Sequence, residues 1–177
     1  MSEISEINGN NFSLFFSFYD ALSKAYTAAG YALPLSGSAL ITIGGQKNKE
    51  KLLPLISLIS LMGYNIMATE HTAEFLVNNG FKNIQEVYKI SEPDRKPNIS
   101  DLLFEHKINF IINIPSTSTV EKYVGMLYDE YQIRRKAVEM GVPVLTTLEV
   151  ANSFIKTLEW LRTNTPTLTF MRDYVKL

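Results

Sequence analysis

The stretch NIMATEHTAEFL, from Asn65 to Leu76, joins an apolar run to the start of a segment with helical spacing. The run ends at Ala68, and two threonines, Thr69 and Thr72, follow it three residues apart. A threonine ahead of an apolar-periodic segment is a helix-start signal, so Thr72 is predicted to cap a helix. A strand that feeds a helix N-terminus is also where α/β proteins bind phosphate, because free N–H groups and the helix dipole point there. This stretch alone leaves both interpretations open.

The same strand-to-helix order repeats on both sides of this stretch. Short apolar runs rich in β-branched residues alternate with segments whose apolar residues recur at helical spacing. Such alternation predicts a parallel sheet with helices on both faces, which is a three-layer α/β fold. The predicted strands are 38–43, 64–68, 86–90, 109–114 and 143–146, and the predicted helices are 48–62 (capped by Asn48), 72–79, 99–106, two stretches within 120–140, and 147–162.

The two ends of the chain show different patterns. Aromatic and apolar residues recur at helical spacing over 11–29, and Gly30 ends that helix. The last residues show no clear periodicity. We therefore expect an N-terminal amphipathic helix with a linker over 1–34, an α/β regulatory domain over 35–162 and a tail over 163–177.

Composition limits the classes of partner. The chain has 177 residues, of which 46% are apolar and 20% charged, with a net charge of −1 and no cysteine. Nucleic acid and anionic membranes require a basic face, so both are excluded as main partners. Without cysteine there are no disulfides, thiol catalysis or zinc–thiolate sites. Glu3 and Glu6 stand where a signal peptide would be basic, and no segment has the length of a membrane span, so we expect a cytoplasmic protein.

The carboxyl edge of the predicted sheet carries small polar groups. Ligands of such sheets bind beyond the carboxyl ends of the strands. Hydroxyl, amide and ammonium groups follow the first four strands at this edge, and carboxylates are few. The segments are Thr42 to Lys49, Thr69 to Thr72, Lys89, and Asn113 to Thr119. The sequence therefore predicts an anion site.

Several motifs occur in the order and spacing of a known family. They are GQKNKEKLLPLISLISLMGYNIMATEHTAEFLVNNG, the lysine of VYKI, the run FIINIP and the segment YQIRRKAVEMGVPVLTT. Residues from about 35 to 160 resemble the methylglyoxal-synthase-like domain. The strongest resemblance is to the allosteric domain at the C-terminus of the large chain of carbamoyl-phosphate synthetase. The helix before the LP dipeptide resembles the segment that joins this domain to the preceding synthetase half.

The resemblance implies a five-stranded parallel sheet and a regulatory domain that has no chemistry, cofactor or metal of its own. The domain would belong to a glutamine-hydrolysing ligase of arginine and pyrimidine biosynthesis. Its ligand would be a nucleotide such as UMP or IMP, or an acylated amino acid, and its partners the synthetase domains of the large chain, with self-association as in the family. The effector-binding residues that the resemblance implies are Thr42, Lys49, Thr69, Thr72, Lys89 and Asn113.

Two positions depart from the family pattern. His71 stands between the threonines, where the family commonly has glycine, and Pro115 stands where nucleotide-binding members have a hydroxyl residue. The NIPSTST loop is closer to the version that binds an acylated amino acid, so the identity of the effector stays open. Structural roles stay open as well: helix caps for the threonines, a solvated helix residue for Lys49, an edge-strand lysine for Lys89 and a buried structural hydrogen bond for Asn113.

A second function is a methylglyoxal-synthase-type lyase that acts on dihydroxyacetone phosphate. That chemistry needs a carboxylate base near the substrate carbon. The enzymes of the family place an aspartate in a glycine-rich loop after the fourth strand, where this chain has PSTST, and Glu70 is the only carboxylate beside the threonines. The cyclohydrolase domain of purine synthesis shares the fold, but its additional motif loops are not found. We therefore expect a binding domain rather than an enzyme.

Overall fold

The computed structural model describes residues 18–115 and 124–166, without the side chains of 124–127. Helices and strands alternate along these residues in the predicted order. They are α1 (Phe18–Ala28), β1 (Ser38–Ile43), α2 (Gln46–Leu61), β2 (Asn65–Thr69), α3 (Glu70–Asn78), β3 (Gln85–Val87), α4 (Ile99–Phe104), β4 (Phe110–Ile114), α5 (Val124–Glu139), β5 (Val144–Leu145) and α6 (Leu148–Leu161). Among the described helices, none is both long enough and apolar enough to cross a bilayer.

The strands form one parallel sheet in the order β3-β2-β1-β4-β5. The predicted five-stranded parallel α/β fold is thereby confirmed. The chain adds β2 and β3 on one side of β1, and then returns to add β4 and β5 on the other side. The strand order therefore reverses between β1 and β4, and open sheets of this kind bind ligands at such a switch point.

Helices cover both faces of the sheet. On one face, α2, α3 and α6 pack through residues such as Ile56, Leu76 and Phe154. On the other face, α4 and α5 pack through residues such as Leu103 and Ile133. Each fully buried side chain of this size contributes about 1.5–3 kcal/mol to stability. The β1, β2 and β4 strands are apolar on both faces because both faces are covered.

Helix α1 lies against α6. The Tyr26 ring packs edge-on against Phe154, with 5.1 Å between the ring centroids. Phe18, at the start of the described helix, is 64% exposed. Other aromatic residues of the predicted 11–29 helix (Phe12, Phe15 and Phe16) lie outside the described residues, as do most of the PSTST loop and most of the tail.

The start of α2 corrects a prediction from the sequence. Gly45, and not Asn48, occupies the N-cap position of α2, so Asn48 is its third residue. The Asn48 side chain instead donates to the carbonyl oxygens of Gly44 (3.0 Å) and Pro115 (3.4 Å). Gly44 follows β1 and Pro115 follows β4, so this amide links the two loops at the switch point.

Two more boundaries differ from the prediction. In the described part of the 120–140 region there is one continuous helix, α5, rather than two. Strand β3 ends at Val87, two residues before Lys89, and Tyr88 forms only an isolated bridge with Asn98. Lys89 therefore lies beyond the strand and is not an edge-strand residue.

Candidate functional site

A cavity opens at the carboxyl edge of the sheet, beside the switch point between β1 and β4. It contains about 570 Å³ of space, a volume that includes its open mouth. Its walls come from the ends of β1 and β2, the start of α3, the segment after β3 and helix α5. Four of the residues predicted from the sequence line it: Thr42, Thr69, Thr72 and Lys89.

Three polar side chains lie next to one another on adjacent strands near this cavity. Thr42 of β1 is in register with Asn113 of β4. Ile41 is in register with Ala68, so the residues that follow them, Thr42 and Thr69, lie at the same level. The core residues two positions earlier on these strands lie on the face that α4 and α5 cover. Side chains two positions apart on a strand point to the same face, so all three polar side chains lie on that face as well. This polar row (Thr69, Thr42 and Asn113) crosses the switch point.

The amide of Asn113 is the most unusual member of the polar row. Asn113 is fully buried, and neither its amide nitrogen nor its amide oxygen has a hydrogen-bond partner among the described residues. The structural hydrogen bond that the sequence left open is therefore not found in the described part of the chain. A buried amide without partners costs about 1–3 kcal/mol. Such a group at a switch point is suited to a ligand, although Asn113 itself is not among the residues that line the cavity.

The two threonines of the opening stretch have different partners. Thr69 occupies the N-cap position of α3, but its side chain makes no capping hydrogen bond. Thr72 is the third residue of α3, and its hydroxyl oxygen accepts a hydrogen bond from the Ile43 backbone N–H at 3.4 Å. The prediction that Thr72 caps and starts this helix is therefore wrong. The residues at the start of α3 line the cavity, and the Thr69 side chain does not cap the helix. The first N–H groups of α3 are therefore suited to bind an anion.

The two lysines lie in different places. Lys89 lines the cavity and forms no ion pair with any described residue. The Lys49 ammonium group donates instead to the His71 backbone carbonyl at 2.6 Å and lies 5.6 Å from the centroid of the Phe75 ring. Burial lowers the pKa of Lys49, and the nearby charge of Glu74 opposes that change. Lys49 is not a lining residue in this structure, although His71, whose carbonyl it binds, is one.

Carboxylates line the cavity as well, contrary to the expectation that acids are few there. Glu70 lies at the start of α3, and Asp129 and Glu130 project from α5. Both oxygens of Asp129 are occupied, because they accept from the Ser91 backbone N–H (3.0 Å) and the Ser91 hydroxyl (2.8 Å). Glu130 has no hydrogen bond or ion pair with any described residue. Burial raises the pKa of the Glu130 carboxyl; Arg134 opposes the shift and Asp129 adds to it.

Sequence reasoning missed Asp129 and Glu130 because it divided this region into two helices. In one continuous helix, Ile133 and Ala137 are core residues one turn apart. Residues three and four positions before Ile133 lie on the same face. The spacing of the apolar residues would therefore have placed both acids against the sheet edge, had the helix been read as continuous.

The cavity offers both donors and an acceptor for a ligand. Hydroxyl, ammonium and backbone N–H groups can donate to an anion, and Glu130 can accept from a second group on the ligand. No cluster of three or more His, Asp or Glu side chains among the described residues could hold a metal ion.

Comparison with known proteins identifies similar chains. A family model described as the MGS-like domain matches residues 51–146, which is more than half of the chain. A carbamoyl phosphate synthase large chain, C-terminal section, from Methanopyrus kandleri is 33% identical over 90% of this chain and 28% of its own length. The carbamoyl phosphate synthase large chain of Archaeoglobus fulgidus is 30% identical over 98% of this chain and 15% of its own length.

A third relative and a solved structure agree with these matches. The carbamoyl phosphate synthase large chain of Corynebacterium glutamicum is 34% identical over 82% of this chain and 13% of its own length. The chain thus spans less than a third of each of these three relatives. The crystal structure of methylglyoxal synthase from Elizabethkingia anophelis NUHP1 superposes with a TM-score of 0.52 and 14% identity, covering 82% of this chain and 93% of that one. At this identity the superposition establishes a shared fold.

Proposed function

The chain belongs to the MGS-like domain family, and on that premise we propose that it is the effector-binding regulatory domain of a carbamoyl-phosphate synthase large chain. Its ligand would be a metabolite with a phosphate or carboxylate group: a nucleotide such as UMP or IMP, or an acylated amino acid. The observation that carries the proposal is the cavity at the switch point, where Thr69, Lys89 and the uncapped start of α3 face one space.

The anionic group of the ligand would lie between α3 and Lys89. The free N–H groups of α3 and the Thr69 hydroxyl donate from one side, and the ammonium group of Lys89 donates from the other. Hydrogen bonds to a charged group contribute about 1.5–3 kcal/mol each, which is roughly twice the contribution of neutral ones. Asn113 lies beside Thr42 in the polar row, and its unpaired amide would gain a partner from a ligand that reaches the floor of the cavity.

Regulation requires that the ligand bind one state of the protein more tightly than another. The cavity walls come from separate elements on both sides of the sheet, so a bound ligand would fix α3, α5 and the segment around Lys89 relative to one another. The relatives are large chains that extend far beyond the length of this one. We therefore propose the synthetase domains of such a chain as the partners that respond, with self-association as a second mode of contact.

Calorimetric titration of the full chain with UMP, IMP and N-acetylglutamate tests the proposal. The Lys89→Ala variant should bind the effector about 10- to 100-fold more weakly, because it loses a charged hydrogen bond. Lys156→Ala is the matched control, since Lys156 is exposed on α6, a helix that contributes no residue to the cavity lining. Equal affinity of the wild type and Lys89→Ala for every effector contradicts the proposal.

One observation favours the lyase as a second candidate. The sequence offered only Glu70 as a carboxylate beside the threonines, but Glu130 lines the cavity as well. Burial raises the pKa of Glu130, which is the direction that favours a general base. Incubation with dihydroxyacetone phosphate and a colorimetric assay for methylglyoxal decides between the two. The lyase is supported if product forms and Glu130→Gln abolishes it. We expect no product above the uncatalysed rate.

A further inference from the structure

Glu130 is a buried carboxylate without a structural partner in the described part of the chain. It is 9% exposed, lines the cavity, and forms neither a hydrogen bond nor an ion pair with any described residue. Burying an ionised carboxylate without a partner is unfavourable. Its neighbour Asp129 shows the contrast, because Ser91 occupies both of its oxygens. The hydrogen bonds from Ser91 therefore account for the burial of the Asp129 carboxylate. No contact among the described residues accounts for the burial of Glu130.

The charges around Glu130 do not supply the missing partner. Lys89, Arg134 and Asp129 are close enough to influence its titration, but neither cation forms an ion pair with it. Arg134 lies one helical turn further along α5, at a spacing where exposed pairs often form. Lys89 shares the cavity with Glu130. The cavity thus has the Lys89 ammonium group for the anionic end of a ligand and, separately, a carboxylate whose oxygens accept no hydrogen bond from any described residue.

We propose that Glu130 favours ligands that carry a hydrogen-bond donor a few atoms from their anionic group, most strongly an ammonium group, and that it disfavours ligands with a second anion in that place. Among the proposed effectors, this favours a nucleotide over a dicarboxylate such as N-acetylglutamate. The inference rests on the proposed function, because the anionic group must first occupy the cavity beside Lys89. The ammonium group donates to the Glu130 carboxylate, which then has its partner. A second carboxylate or phosphate at the same position faces a buried negative charge and is repelled.

Three small phosphates that share one end and differ at the other test the inference. They are 2-aminoethyl phosphate, ethyl phosphate and phosphoglycolate, whose far ends are cationic, neutral and anionic. With the wild-type chain we expect 2-aminoethyl phosphate to bind most tightly, ethyl phosphate less tightly and phosphoglycolate least tightly. The affinities of 2-aminoethyl phosphate and phosphoglycolate should differ about tenfold or more. Glu130→Gln should remove most of this difference, because 2-aminoethyl phosphate should bind more weakly and phosphoglycolate more tightly than to the wild type.

Two further variants complete the design. Glu159→Gln removes the same charge from an exposed position on α6 and should retain the wild-type order. Glu130→Ala is the second cavity variant, should the glutamine variant fold poorly, and should also lose the order. The inference is overturned if the phosphates bind but the wild type and the Glu130 variants show the same order of affinity. Glu130 would then only offset the charges of the nearby cations. If none of the phosphates binds the wild type, the proposed anion site fails and the inference fails with it.

Discussion

Thr69 and Thr72 lie three residues apart in the same strand-to-helix turn, but their side chains have separate roles. The Thr72 hydroxyl accepts from the Ile43 N–H and so ties α3 to the end of β1. The Thr69 hydroxyl is at the N-cap position and leaves the helix uncapped. A cap contributes about 1 kcal/mol to stability, so its omission is unfavourable unless a ligand uses the free groups. We therefore predict that Thr72 contributes to stability and Thr69 to binding.

Substituting each threonine by valine separates the two roles, because valine preserves the shape and removes only the hydroxyl. Thr72→Val leaves the buried Ile43 N–H without an acceptor and should lower the free energy of unfolding by about 1–3 kcal/mol. Thr69→Val should leave stability within about 0.5 kcal/mol of the wild type and weaken effector binding about tenfold. Urea unfolding and calorimetry of both variants measure these effects. Loss of stability in Thr69→Val with unchanged binding contradicts the assignment.

Sequence reasoning could place the threonines at this edge because their positions depend on strand ends, which apolar runs mark clearly. Lys89 was placed there as well, although its strand ends two residues earlier than Lys89. The same reasoning missed Glu130 because it predicted two helices within 120–140, and only one continuous helix α5 places Glu130 on the same face as Ile133. It also could not show that Lys49 binds the His71 carbonyl, because this contact joins two helices that are distant in the sequence. The assignment of Lys49 to the effector site stays a prediction.

At the scale of elements, the strands were easier to predict than the helix starts. The run 38–43 matches β1, because a short β-branched segment between glycines has few alternatives. The start of α2 was missed because its N-cap is Gly45, a residue with no side chain to signal it. Asn48 carries a typical capping side chain, but its amide links the loops after β1 and β4 instead. A helix start is predicted from residues that often cap helices, and such a prediction is wrong when a tertiary contact uses the same side chain.

The polar row across β2, β1 and β4 gives a prediction for this scale. Asn113→Val replaces a buried amide that has no partner among the described residues with an apolar β-branched group that suits a strand, so the free energy of unfolding should rise by about 1 kcal/mol. Effector affinity should fall in the same variant. Asn65→Val, at the exposed start of β2, is the control and should leave effector affinity unchanged. If Asn113→Val is strongly destabilised, the amide has a structural partner and its role in the site is contradicted.

At the scale of the whole molecule, strand order determines which side chains meet. The alternation of elements predicts a parallel sheet, but the order β3-β2-β1-β4-β5 requires the structure. That order brings residues as distant in sequence as Thr42 and Asn113 into register at the switch point. The resemblance read from the motifs is confirmed by the family model and by the relatives, which are large chains of carbamoyl phosphate synthase. The identity of the effector depends on side-chain chemistry at one edge of the sheet, which the fold alone does not determine.

The most direct measurement is a crystal structure of the chain soaked with tungstate, a tetrahedral mimic of phosphate that scatters anomalously. We predict an anomalous peak within hydrogen-bond distance of the Thr69 hydroxyl, the first N–H groups of α3 and the Lys89 ammonium group. A cavity that stays without a peak at saturating tungstate, with the anion bound elsewhere or nowhere, would contradict the claim that this edge of the sheet binds an anionic metabolite.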